Sequence, residues 1–193
     1  MKSYFLHETA IVDEGAKIGK GTKIWHWTHV SSEAKIGENC NLGQNVYVAN
    51  NVSLGNNVKV QNNVSIFDNV YLEDDVFCGP SMVFTNVINP RSHVSRKDEY
   101  KDTIVRKGSS IGANATIICG CEIGQYSFVG AGSVVSKDTL PFSLNVGVPS
   151  RQIGWVTKEG ITFSLNEDDK YICTETDTCY FLENGKMRCE PIK

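Results

Sequence analysis

Residues 34–48 read Ala34-Lys35-Ile36-Gly37-Glu38-Asn39-Cys40-Asn41-Leu42-Gly43-Gln44-Asn45-Val46-Tyr47-Val48. Ile36, Leu42 and Val48 stand six apart, and the series runs on in both directions. Val12, Ile18, Ile24 and Val30 precede them, and Leu54, Val60, Ile66 and Leu72 follow, without a miss. Two residues before each sits Ala10, Ala16, Thr22, Thr28, Ala34, Cys40, Val46, Val52, Val58, Val64 or Val70, all small or β-branched. A glycine often comes next, as in Ile18-Gly19, Ile36-Gly37, Leu42-Gly43 and Leu54-Gly55. A helix repeats at 3.6 and a flat strand at 2, whereas a hexapeptide β-helix repeats at six. Each hexad is then one short strand and a turn, aliphatic residue inward, small residue at the corner. Three hexads close one coil of a triangular prism, so residues 18 apart stack in columns.

The hexads start at about Thr9, and the residues before them are expected to cap the end of the solenoid. After Phe84 the pattern stops. Residues 85–101 carry Pro90, Arg91, His93, Arg96, Lys97, Asp98, Glu99 and Lys101. It resumes at Val105, Ile111, Ile117, Ile123, Val129 and Val135, three residues out of phase. The segment 86–103 must therefore leave the prism as a loop, and a long loop between intact coils points to function. Leu140-Pro141 and Val146-Gly147-Val148-Pro149-Ser150-Arg151-Gln152-Ile153-Gly154 end the prism. The predicted organisation is an all-β parallel β-helix over 1–156 and a β-rich appendage over 157–193. In the appendage, Tyr171-Ile172-Cys173 and Cys179-Tyr180-Phe181-Leu182, with Asn184-Gly185 after them, suggest a hairpin.

The formal charge of −3 argues against nucleic acid as a partner. No run of 18 apolar residues predicts a membrane span, and the start lacks the apolar core of a secretory signal. Seven cysteines is an odd number, and Cys40, Cys78 and Cys121 replace repeat residues. Reduced thiols in a cytoplasmic protein are expected. Cys173, Cys179 and Cys189 lack the spacing of a zinc ribbon.

The hexads together with Gly147–Gly154 resemble the hexapeptide-repeat acyltransferase superfamily. A narrower resemblance lies in Val76–Val87, Asn89-Pro90-Arg91 and Arg96-Lys97-Asp98-Glu99-Tyr100. These segments are similar to the UDP-2-acetamido-3-amino-2,3-dideoxy-glucuronate N-acetyltransferases of bacterial surface polysaccharide (O-antigen) synthesis. The resemblance implies left-handed coils, a homotrimer with sites between subunits, acetyl-CoA as co-substrate and no metal. Relatives acting on dTDP-3-amino-3,6-dideoxyhexoses carry similar segments and leave that substrate open. A γ-type carbonic anhydrase needs three histidines across an interface. His7, His26, His29 and His93 are the only histidines, and none are a whole number of coils apart. A non-catalytic β-helix scaffold has no use for the charged loop or the terminal signature.

Acetyl transfer to an amine needs a neutral nucleophile, alignment and donors for the oxyanion. Column arithmetic stacks Asn50, Asp68 and Asn86 on one edge, and Gln44 and Asn62 with His26 on another. Asn45, Asn51, Asn57 and Asn63 read as left-handed turn residues, and Asn50 is equally readable as one. Asn86 stands where the coil opens into the loop, and the resemblance gives it contact with the reacting amine. His93 is a rival general base or an exposed loop residue. Arg91 and Arg96 suit the uronate carboxylate or the diphosphate, or pair with Asp98 or Glu99. Glu99 and Tyr100 are further substrate candidates. His26 and His29, with Trp25 and Trp27, line the uridine end or form a subunit contact. Gly112, Ala113, Gly130 and Ala131 would let pantetheine lie against the coil, with Lys137 and Arg151 at the CoA phosphates and Pro149 and Ile153 near the adenine.

Overall fold

The structure is a computed structural model that describes residues 3–192. Its main body is a parallel β-solenoid of about eight turns, built from two- to four-residue strands on three faces. The first face stacks Phe5–Leu6, Lys23–Ile24, Asn41–Leu42, Lys59–Val60, Phe77–Cys78, Ser110–Ile111, Phe128–Val129 and Ser143–Val146. The second runs from Ile11–Val12 through His29–Val30, Tyr47–Val48, Ser65–Ile66, Val83–Phe84 and Thr116–Ile117 to Val134–Val135. The third holds Lys17–Ile18, Lys35–Ile36, Val52–Leu54, Val70–Leu72, Thr103–Val105 and Glu122–Ile123.

The six-residue series is the core. Ile24, Val30, Leu42, Val48, Val60, Ile66, Ile111, Ile117, Ile123 and Val129 are all 0% exposed. Each such side chain contributes roughly 1.5–3 kcal/mol on burial. The residues two before them fill the corners: Thr28 donates its hydroxyl to the Gly43 carbonyl at 2.8 Å, and Thr22 to Gly37 at 2.8 Å. The series also starts earlier than expected. Phe5–Leu6 is already a strand paired with Lys23–Ile24, so Leu6 is its first member and this segment is a coil, not a cap.

Paired residues in the coils are 18 apart up to the last one, where Phe128 pairs with Leu144, but Leu72 pairs with Val105 and Phe84 with Ile117 across the break. The coil that holds the break is thus fifteen residues longer than a regular one, which gives the phase slip of three. The chain leaves the second face at Phe84 and rejoins the third at Thr103, so the loop springs from the corner between them.

Asn45, Asn57 and Asn63 do turn the chain with φ of 60°, 57° and 62°. Asn51 does not. Its side-chain Nδ2 donates to Asn69 Oδ1 at 2.8 Å and to the Tyr71 hydroxyl at 3.1 Å, so it serves as a side-chain ladder rather than a left-handed turn.

Beyond the prism, Ser143–Val146 turns back through Arg151–Val156, which pairs with Thr162–Phe163. The expected hairpin gains a third strand: Lys170–Cys173, Thr178–Glu183 and Lys186–Pro191 form an antiparallel meander, with Asn184 (φ 51°) and Gly185 (φ 73°) as its tight turn. Phe142, Phe163, Cys173, Tyr180 and Met187 make a second small core there.

Candidate functional site

Two edges of the prism collect the candidate residues. The edge between the second and third faces stacks Ser32, Asn50, Asp68 and Asn86, and their side chains differ in one respect. Asn50 Oδ1 accepts hydrogen bonds from the Ser32 hydroxyl at 3.3 Å and the Glu33 amide at 3.4 Å. Asp68 Oδ1 accepts from the Asn51 amide at 2.8 Å. Both tie one coil to the next. At Asn86 that partner is gone, because the Asn69 amide donates to the Asn51 carbonyl instead. The half-buried Asn86 is pinned through its backbone, its carbonyl accepting from Lys101 at 3.0 Å, while its carboxamide makes no hydrogen bond among the described residues. Beside it, Thr85 Oγ1 accepts from the Cys119 amide at 2.9 Å.

The loop itself is mostly exposed. His93 sits in a turn closed by the Val94 amide on the Arg91 carbonyl at 3.2 Å, and its ring has no partner among the described residues. Arg91 donates to the carbonyl of its own neighbour Pro90 at 3.1 Å. Arg96 pairs with Glu99 at 2.7 Å across the short 3-10 turn Lys97–Glu99, so in the isolated chain these two neutralise each other. Tyr100 is half-buried beside them.

The edge between the first and second faces carries His26, Gln44 and Asn62 in one column, and the same column continues through Pro80 to Ala113 and Ala131. Beside it runs Trp25, Gly43, Gln61, Gly79, Gly112 and Gly130. Stacking dictates the glycines: a Cβ on Gly79 would lie 2.6 Å from the Ala113 amide, and one on Gly112 would enter the Ala131 backbone. Gly112→Ala should therefore destabilise by about 1–3 kcal/mol in denaturant melts, the usual cost of overpacking. Among the four aromatics expected there, only Trp25 and His26 face this edge's cavity. His29 lies on the second face paired with Asp13 at 3.1 Å, and Trp27 is exposed in a left-handed turn (φ 53°).

A cavity of about 290 Å³ at the C-terminal end of the prism brings Lys137 and Arg151 together with Asp138, Asn145 and Ser150. The Ser150 hydroxyl is buried there without a partner among the described residues. Pro149, after a cis peptide bond, and Ile153 are exposed and outside that cavity. Lys137 stands on the loop-bearing edge, two residues past Val135, so one chain does not bring it to the glycine row.

At the remaining edge, Arg106 spans the insertion. It donates to Glu73 at 2.8 Å and to Glu122 at 2.8 Å, clamping the coils on either side of the break. Hydrogen bonding to Arg106 holds the Glu122 carboxyl below its usual range. The clamp's stability is then present above the ordinary carboxylate pKa and lost as pH falls through the depressed one. Since both groups are more than a third exposed, about 0.5–1 kcal/mol is involved. Glu122→Gln should remove that acid-side loss in melts at pH 3 against pH 7. Burial pushes the Cys78 thiol up to about 12, and all seven cysteines are free.

Residues 15–50 and 102–137 match the family described as bacterial transferase hexapeptide (six repeats), and residues 33–68 match the hexapeptide repeat of succinyl-transferase. The chain carries the hexapeptide repeats of bacterial transferases. Over 59 residues the chain is 49% identical to the dTDP-3-amino-3,6-dideoxy-alpha-D-galactopyranose 3-N-acetyltransferase of Aneurinibacillus thermoaerophilus, covering 31% of each chain. The match thus spans less than a third of that relative's length. Among solved structures, a galactoside acetyltransferase in complex with coenzyme A superposes with a TM-score of 0.57 at 30% identity, over 64% of this chain and 66% of that one. A hexapeptide-repeat acetyltransferase of Vibrio cholerae O1 biovar eltor, complexed with acetyl-coenzyme A, gives 0.50 at 26% identity, over 59% and 69%. No helix among the described residues is long and apolar enough to cross a membrane, and no group of three or more metal-ligating side chains occurs among them.

The hexapeptide pattern also marks Gln61, a residue outside the candidate set. Gln61 breaks a row that is glycine at 43, 79, 112 and 130, and its side chain lines the cavity beside Trp25.

Proposed function

We propose that this chain is an acetyl-CoA-dependent N-acetyltransferase acting on the 3-amino group of a nucleotide-linked amino sugar. The substrate we favour is UDP-2-acetamido-3-amino-2,3-dideoxy-glucuronate, in cytoplasmic assembly of bacterial surface polysaccharide. The observation that carries this reading is the free carboxamide of Asn86, held by its backbone at the root of the loop while its column neighbours are consumed by the coil. A pinned, unspent amide can orient an amine or donate to an oxyanion, and its geometry needs no rearrangement.

The amine lone pair attacks the thioester carbon, charge collects on the carbonyl oxygen, and the C–S bond breaks. The amine proton ends on the coenzyme A thiol. Asn86 is too weak a base to take that proton, so its role is to position the amine. His93, exposed and without a partner among the described residues, is the alternative base. The end cavity would take the phosphate end of coenzyme A: Lys137 and Arg151 offer charge to phosphate, and the Ser150 hydroxyl, unpaired among the described residues, offers a buried hydrogen bond. Asn86 and the glycine row stand on different edges of one chain, which a homotrimer with sites between subunits would bring together. Arg91 and Arg96 would then meet the acceptor's anions, with Glu99 released from Arg96.

The dTDP-3-amino-3,6-dideoxyhexoses form the second substrate reading, favoured by the identity over 59 residues noted above. The test of the mechanism is the pH dependence of kcat. With no protein base, the rate should climb with the deprotonation of the substrate amine, and His93→Ala should leave the profile unmoved. A profile that loses an inflection in His93→Ala would make His93 the base.

A further inference from the structure

The edge that carries neither Asn86 nor the glycine row holds a cavity of about 430 Å³, where the turn of the C-terminal meander meets the prism. It is lined by the clamp of Glu73, Arg106 and Glu122, by Leu140 and Pro141, and by the exposed Gln125 and Lys186. Much of its hydrogen-bonding capacity is unspent. Arg106 places three of its five N–H donors on Glu73 and Glu122. Glu73 accepts from Arg106 and from the Lys107 amide, and Glu122 accepts twice from Arg106. A carboxylate has lone pairs for about four such bonds, so each glutamate can accept more. Among the described residues the Gln125 carboxamide makes no hydrogen bond and the Lys186 ammonium no ion pair. Hydrogen bonding and charge from Arg106, and the charge of Lys186 after them, hold the Glu122 carboxyl down, which puts the ammonium near the clamp.

We infer that this cavity is a non-catalytic binding site for a small hydroxylated carboxylate of the sugar-acid class. The inference goes beyond the acetyltransferase reading and does not depend on it. The ligand carboxylate sits between Lys186 and the N–H groups that Arg106 has left, where charge-assisted hydrogen bonds are strongest. Its hydroxyls donate to the open lone pairs of Glu73 and Glu122 and bond to the Gln125 carboxamide, which both donates and accepts. The C–H face of the ring covers Leu140, which is 40% exposed, and Pro141. The same groups disfavour other small ligands. A phosphate dianion would bring a second negative charge against two glutamates, a cation would meet Arg106 and Lys186, and a neutral sugar would leave the ammonium without a partner. The volume lies inside the roughly 300–1,000 Å³ of small-molecule pockets. Because Arg106 joins the coils on either side of the insertion and Lys186 belongs to the meander, a bound acid ties the appendage to the prism.

The test is calorimetric titration of the full chain with D-glucuronate, D-glucose, acetate, inorganic phosphate and, separately, coenzyme A. Glucuronate should bind, and glucose, acetate and phosphate should each bind at least about tenfold more weakly, since each lacks the charge, the hydroxyls or the single negative charge that the cavity selects. Lys186→Ala should weaken glucuronate by about 10- to 100-fold, the loss of one charge-assisted hydrogen bond, and Gln125→Ala by about 2- to 10-fold. Both side chains are exposed, so neither variant threatens the fold. Lys170→Ala removes the same charge from the same meander and should leave the affinity unchanged, as should Arg91→Ala in the proposed acceptor site. Bound glucuronate should also slow hydrogen exchange in Lys186–Pro191. Unchanged affinity in Lys186→Ala, with loss in Arg91→Ala, would seat the acid in the acceptor site and overturn this one. Phosphate as tight as glucuronate would overturn the sugar-acid class. Coenzyme A binding with no glucuronate binding at millimolar concentration would overturn the site and leave the acetyltransferase reading standing.

Discussion

Replacing Asn86 with alanine should lower kcat by about 100- to 1,000-fold, the loss seen when a single preorganised donor is removed from a reacting oxygen. The KM for acetyl-CoA should stay within about threefold, since the coenzyme would be held mainly by the end cavity. Stability should shift by less than about 0.5 kcal/mol, because the side chain contributes no hydrogen bond to the coil. The column supplies its own control. Asp68→Ala removes the acceptor for the Asn51 amide and should cost about 1 kcal/mol or more in denaturant melts. Stopped or initial-rate kinetics with paired melts separate the two cases. A kcat for Asn86→Ala within tenfold of wild type would remove this residue from the chemistry and leave the loop's role unexplained.

The second large effect is expected far from that edge. Tyr180→Ala should cost about 3–5 kcal/mol in the C-terminal core, as aromatic truncations in buried sites do. Tyr180 is 0% exposed, its ring lies 5.6 Å from Phe142 and 5.2 Å from Phe163, and its hydroxyl accepts from the Lys158 amide at 3.0 Å. That core has five buried members, so no neighbour can refill the void. Tyr180→Phe keeps the ring and should cost only about 1 kcal/mol, that of the hydrogen bond. Hydrogen exchange gives the spatial readout. The amides of Thr178–Glu183 should lose protection in Tyr180→Ala, while those of the central coils, built on Ile66 and Ile117, keep theirs. Equal loss in both regions would mean that the appendage and the prism unfold as one unit.

Why the solenoid was legible and the site only partly so comes down to what each depends on. A strict six-residue period leaves Ile24, Leu42 and Ile66 no other place than the axis, and the run of residues fixes it locally. Column position follows from the same arithmetic, which placed Asn50, Asp68 and Asn86 together and His26 over Gln44. It could not distinguish them. Whether a column carboxamide is spent depends on what the next coil offers, and that coil is displaced by an insertion whose own residues have no period. Only the pairing of Leu72 with Val105 settles it. Arg96 is a similar case: Asp98 and Glu99 are both near in sequence, and the turn at Lys97–Glu99 selects Glu99. The early coil at Phe5–Leu6 keeps the period but not the pattern, since Tyr4 stands where the other hexads have a small or β-branched residue. Asn51 was misread because asparagine serves turns and ladders alike, and the choice between them lies with Asn69 and Tyr71 a coil away.

The most direct test of the account is release of coenzyme A thiol on mixing the protein with acetyl-CoA and UDP-2-acetamido-3-amino-2,3-dideoxy-glucuronate, with a dTDP-3-amino-3,6-dideoxyhexose alongside. The account predicts rapid release with the uronate, dependent on Asn86, and little with the deoxyhexose. Release with the deoxyhexose alone would keep the acetyl transfer and replace the substrate. No release with either sugar, from protein that also fails to bind acetyl-CoA, would contradict the claim that this prism is an enzyme.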